Sequence, residues 1–127
     1  MQRFDGGIAT KRLEAIGPLA LGTPVTGITA HAGGGQAGAT LLTANVNDVG
    51  TVATGADSVK LPPPTIAGQL VIVANNGANA MQVFGSGTDT INGVATATGV
   101  SQPAGKHAFY VSEGVGAGTN WLRNLSA

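Results

Sequence analysis

A chain of 127 residues with 21 glycines and no cysteine has room for one core, and neither a disulfide framework nor a thiolate metal site can support it. Its six basic and six acidic residues cancel, which removes the electrostatic footprint of a nucleic-acid binder and leaves little repulsion between copies. Charged residues make up 9% where about a quarter is usual, so much of the surface is expected to face other protein.

The opening stretch, MQRFDGGIATKRLEAIG, scatters its charges and has no apolar centre, so it does not read as a secretory signal. No apolar run approaches the roughly 20 residues that span a bilayer. Residues 1–38 are broken by Gly6-Gly7, Gly17-Pro18, Gly22, Pro24, Gly27 and Gly33-Gly34-Gly35, which leaves no room for a long element. Lys11 to Ile16 could form a short helical turn that stops at Gly17-Pro18. Phe4, Ile8, Leu13, Ile16, Leu19, Leu21, Val25 and Ile28 make this stretch more apolar than a solvated tail. It reads as an extended arm ordered by lying on its own domain or on a partner. Arg3, Phe4, Lys11, Arg12, Leu13 and Ile16 are its candidate contact residues, the basic ones positioned to pair with carboxylates.

From residue 39 onward β signals follow one another. Ala39 to Thr43 is a plausible strand, Asn45 to Gly50 a turn-rich break, and Thr51 to Thr54 a further strand. Ser58 to Leu61 alternates and stops at Pro62-Pro63-Pro64, because proline has no N–H to give a ladder. Leu70 to Ala74 is a short apolar run rich in β-branched residues, the pattern of a strand buried on both faces. Asn75-Asn76-Gly77 then suggests a tight turn, and Met81 to Phe84 the returning strand of a hairpin. Val94 to Val100 reads as a loop with a weak strand. Lys106 to Val111 alternates, with His107, Phe109 and Val111 on one face. Ser112 to Thr119 makes the last turn and Trp121 to Leu125 the last strand. Short strands separated by turn signals, with no helix-length segment and no repeat of fixed period, predict an all-β fold, an antiparallel sandwich or barrel over residues 39–127.

No constellation in the sequence carries catalysis. His31 lies in a glycine-rich loop, and His107, in register with Phe109 and Val111, reads as a partly buried structural or interface histidine. Ser86 between glycines lacks the strand-to-helix setting of a nucleophile elbow. Asp48, Asp57, Asp89 and Glu113 sit beside Gly, Asn, Ser or Thr, where turn-forming acids belong. A calcium site would have to be assembled from separate loops, since the EF-hand spacing is absent. The glycine loops lack the Lys-Ser/Thr of a phosphate loop. The expectation is a non-enzyme with no cofactor and no metal, and with neither nucleic acid nor membrane as partner. Trp121 reads as a core residue, with an interface anchor as the alternative.

The run GQLVIVANNGANAMQVFGSGTDTING, followed by the alternating HAFYV and the final NW, resembles a segment of tailed-bacteriophage virion proteins, above all small capsid decoration (cement) proteins. The likeness covers Gln69 to Leu125 and, weakly, the preceding ADSVKLP. It rests on turn glycines, asparagines and core apolars. The resemblance implies a tulip-like or jelly-roll-like β-barrel or sandwich that forms a homotrimer on the outer surface of the capsid. It further implies placement at threefold or quasi-threefold points, with the major capsid protein as partner and the arm of residues 1–38 reaching toward it. Head-fibre, tail or baseplate components carry similar modules, and a glycan-binding module is a further alternative. No catalytic residue is implied.

Overall fold

A computed structural model describes residues 18–127. They form an all-β unit with no helix, built from β1 (Val25–Thr29), β2 (Thr40–Leu41), β3 (Val46–Thr51), β4 (Ser58–Lys60), β5 (Leu70–Asn75), β6 (Met81–Phe84), β7 (Thr90–Ile91), β8 (Val100–Gln102), β9 (His107–Ser112) and β10 (Asn120–Leu125). One sheet has six strands in the order β1-β3-β5-β9-β10-β7, and the other has four in the order β2-β4-β6-β8. The expected helical turn over Lys11 to Ile16 lies outside the described residues.

The expectation of an antiparallel fold is corrected to two mixed sheets. From β1 to β9 the chain alternates between the sheets, and as far as β6 the next strand in either sheet arrives after a crossing and runs parallel to the last. Thus β1 pairs with β3 and β3 with β5 in parallel, as do β2 with β4 and β4 with β6. The antiparallel pairs come late: β5 with β9, β6 with β8, and β9 with β10. Of these, only β9 and β10 follow each other directly, and the connection over residues 113–119 makes the one strand-to-strand hairpin among the described residues.

The hairpin expected between β5 and β6 is therefore absent, because the two strands belong to different sheets. Residues 76–80 connect them, and at up to about 3.3 Å per residue they span the ~10 Å between packed sheets. Asn75 holds this crossing from inside. Its Nδ2 donates to Asn79 O at 3.0 Å and to Gln102 O at 2.9 Å, and its Oδ1 accepts from Gly77 N at 3.0 Å. Asn79 Nδ2 in turn donates to the carbonyls of Val52 and Ala53. Gly77 is needed for space, not for a left-handed backbone: a Cβ there would lie 2.6 Å from Val52 N.

Two more expectations shift by a few residues. Asn45 to Gly50 is mostly strand β3 and not a break, while the chain from Ala53 onward turns. Several strands are entered through the same turn, in which the N–H before the strand returns to the carbonyl three residues back: Asp57 to Thr54, Gln69 to Ile66, Asp89 to Ser86, Lys106 to Pro103. At Ala56, Gly68 and Gly105 the third turn residue has positive φ, as a type II turn requires.

The core lies between the sheets. Val49, Val71, Val73, Ala108, Tyr110 and Trp121 face inward from the six-stranded sheet, and Val59, Met81, Val83 and Val100 from the other; Leu42, Val52 and Leu61 fill in from the connections. Trp121 is fully buried, a core residue as read from the sequence.

Candidate functional site

Alternation along β5, β9 and β10 divides their side chains between the core and an outer face. Val71, Val73, Ala108, Tyr110 and Trp121 point in. The register then sets Leu70, Val111 and Leu122 in one outer row, and Ile72, Phe109 and Asn124 in the next, continued by Val46 of β3. A third row holds His107, Ala74 and Asp48. Phe109 is 51% exposed and Leu122 49%; Leu70, Ile72, Val111 and Val46 are half-buried by their neighbours. This is a flat apolar patch in the middle of the larger sheet.

Beside Phe109 the face carries a hollow of about 340 Å³ lined by His107, Phe109, Asn124 and Ser126. Its far wall is fixed by the backbone. His107 N donates to Ser126 Oγ at 3.0 Å, Ser126 N donates to His107 O at 2.8 Å, and Lys106 Nζ donates to Ala127 O. The chain end is thereby held along β9 and the hollow is a shaped feature of the sheet.

Charge is confined to the margin. Asp48, in the third row, accepts from Asn76 Nδ2 at 2.7 Å, and His107 in the same row is exposed. Arg123 turns the other way, its Nη1 donating to Ser101 O at 2.7 Å. The two central rows contain no ionisable group. Chemically this surface can exclude water against another apolar surface and accept an anchoring side chain.

The residues weighed for chemistry are dispersed through the fold. His31 bridges to Ser58 through its backbone and lays its ring over Gly38. His107 is exposed, not partly buried, although Phe109 and Val111 share its face as expected. Asp57 accepts from the N–H groups of Thr54 and Gly33, Asp89 from Thr119 N, and Glu113 from Asn120 Nδ2. These acids fasten turns. Ser86 Oγ donates to Leu61 O at 2.6 Å. Among the described residues no group of three His, Cys, Asp or Glu side chains converges. Arg3, Phe4, Lys11, Arg12, Leu13 and Ile16 all lie outside the described residues.

A second cleft of about 220 Å³ lies between Pro63-Pro64, the Ser86–Asp89 turn and Gly116-Ala117. Ser86 Oγ in its lining is engaged with Leu61 O, and Gln36 Nε2 donates to Gly85 O and Gly87 O of the same turn.

Sequence reasoning found Phe109 and His107 on one face but missed Leu122, Asn124 and Ser126. The signal was present: in NWLRNLS the buried Trp121 fixes the parity that turns these three outward. Comparison with family models, with curated proteins and with solved structures yields no match.

Proposed function

We propose that this chain is a structural virion protein, a decoration protein that binds the outer surface of a tailed-phage head and stabilises the shell. The observation that carries this reading is the uncharged apolar face of β5, β9 and β10, which suits adhesion between proteins. The phage assignment itself rests on the resemblance of Gln69 to Leu125 to such proteins. On this reading the sandwich is the body of a tulip-like or jelly-roll-like protein, acting as a homotrimer at threefold or quasi-threefold points. The arm expected over residues 1–38 is shortened by β1, which belongs to the six-stranded sheet; the stretch before it supplies the arm, and Arg3, Phe4, Lys11, Arg12, Leu13 and Ile16 contact the major capsid protein or a neighbouring subunit. Three linked arms raise one another's effective concentration, so each needs only a modest contact. The function requires no catalysis and no cofactor.

The test is addition of purified protein to heads that lack it. Saturable binding with increased resistance of the heads to heat is the expected result, and replacing Arg3, Lys11 and Arg12 together by Glu should weaken it at least tenfold. Absence of binding to heads, with retention by purified tails or fibres, would overturn the decoration reading in favour of a tail, baseplate or head-fibre role.

A further inference from the structure

We infer that the outer face of β5, β9 and β10 is where copies of this chain meet, with Phe109 as the anchor and the adjoining hollow as its receptacle. The inference deepens the proposed function, on whose self-assembly it rests.

Strand β5 supplies the first argument. Leu70-Val71-Ile72-Val73-Ala74 is apolar at every position, the pattern of a strand covered on both faces. Within one chain only Val71 and Val73 reach full burial; Leu70, Ile72 and Ala74 remain partly open to solvent. An antiparallel-type surface strand would carry polar residues at those positions. The sequence is written for a second layer that residues 18–127 of one chain do not provide.

A second copy of the chain suits that layer. Phe109 projects from the face, and the hollow lined by His107, Asn124 and Ser126 lies directly beside it. Knob and receptacle side by side mean that each copy offers what the next accepts, so the contact can close as a dimer or, head to tail, as a ring of three. Clefts of about 300 Å³ and larger hold small organic groups, so the hollow admits an aromatic ring. Charge agrees: the central rows carry no ionisable group to be stripped of water on contact, and Asp48 and His107 stand at the edge. A chain with zero formal charge adds no long-range repulsion.

Area sets the strength. Three rows on four strands, at about 6.7 Å and 4.8 Å spacing, cover roughly 400 Å² in projection. A standard interface takes about 800 Å² from each partner. Contact through this face alone should therefore be reversible and concentration-dependent, with Phe109 and Leu122 contributing most as central, water-excluding side chains.

The experiment is light scattering of the full-length chain over a hundredfold concentration range, with Phe109→Lys, Leu122→Lys and, as a control, Val115→Lys. All three positions are exposed, and far-ultraviolet circular dichroism verifies that each variant is folded. The expected result is a wild-type mass that rises to a multiple of the chain mass. Phe109→Lys and Leu122→Lys should weaken association at least tenfold, and Val115→Lys should leave it unchanged. A wild-type monomer at every concentration overturns the inference; so does an oligomer indifferent to both face variants. A monomer that associates only once residues 1–17 are removed also overturns it, by identifying the chain's own beginning as the occupant. A dimer broken by the face variants upholds the inference and removes the threefold role, while a trimer so broken that fails to bind heads upholds it and removes the capsid role.

Discussion

The Tyr110 hydroxyl donates to Gln102 Oε1 at 2.8 Å inside the core, joining β9 of the six-stranded sheet to β8 of the four-stranded one. The Gln102 amide continues the link, donating to Val73 O at 2.9 Å and to Lys106 O at 3.0 Å. Every polar group of these two side chains thus has a use, in a setting where an unpaired one is expensive. Tyr110→Phe keeps the ring but strips Gln102 Oε1 of its donor. The expected cost is about 1–3 kcal/mol, the usual penalty for a buried group left unpaired, measured as a lower urea midpoint with unchanged slope.

The same tyrosine makes stability pH-dependent at the alkaline end. Burial pushes its hydroxyl well above the ordinary tyrosine value, and nearby Arg123 offsets this only in part. The folded state therefore holds its proton where the unfolded chain, with its pKa near 10, releases it. The stability from this group is complete below about pH 10 and declines as pH rises beyond it, by up to about 1.4 kcal/mol per unit. Urea melts between about pH 9 and 11 should show that decline in the wild type and lose this part of it in Tyr110→Phe. Since the chain has one tyrosine, phenolate absorbance can follow the site directly.

Composition and short-range pattern made the all-β class and much of the core legible, because alternation and turn residues act locally. Which strands pair did not follow from them. Asn75-Asn76-Gly77 has the composition of a hairpin turn, but the decisive interactions are distant ones: Asn75 with Gln102, and Asn79 with Val52 and Ala53. A five-residue connection long enough to cross between sheets is equally compatible with a loose hairpin, and sequence alone does not decide between them. For the surface, the apolar positions of β5 were visible, but the uncovered side became apparent only with the register to Phe109 and Leu122.

Ala56 adopts φ of +72° in the turn before β4, a conformation that costs an L-residue about 1–2 kcal/mol. Its counterparts Gly68 and Gly105 avoid that cost. Ala56→Gly should stabilise the protein by about 0.5–1 kcal/mol, the gain being reduced by the larger unfolded-state entropy of glycine. The check is the thermal midpoint, expected to rise by a few degrees. Gly68→Ala should lower it.

Two glycines with close neighbours should respond differently to the same methyl group. At Gly77 the added Cβ would meet the backbone nitrogen of Val52 at 2.6 Å, and at Gly38 the ring of His31. The backbone of Val52 belongs to a corner pinned by Asn79 and cannot yield, so Gly77→Ala should cost more than about 2 kcal/mol, at the high end for overpacking. The His31 ring can swing away, so Gly38→Ala should cost less, and His31→Ala in the same chain should recover most of the loss. Denaturation of the single and double variants gives the coupling directly. A full recovery would also establish that His31 serves packing, because its strand-like bridge to Ser58 uses only the backbone.

Trp121 is the one buried side chain among the described residues whose polar atom lacks a partner: its Nε1 is enclosed with nothing to receive the proton. Burial of the indole stabilises the core through its area, while the unpaired N–H takes back part of that gain. Trp121→Phe removes ring volume and the orphaned donor together, and the two effects oppose each other. Its expected cost is about 1–2 kcal/mol, whereas Trp121→Ala, which leaves a cavity, should cost about 3–5 kcal/mol. Urea unfolding followed by circular dichroism measures both, since the only tryptophan is lost in each. A Trp121→Phe cost well above that range would mean that the indole N–H is satisfied in solution, by a buried water, because the variant would then lose a hydrogen bond as well as volume.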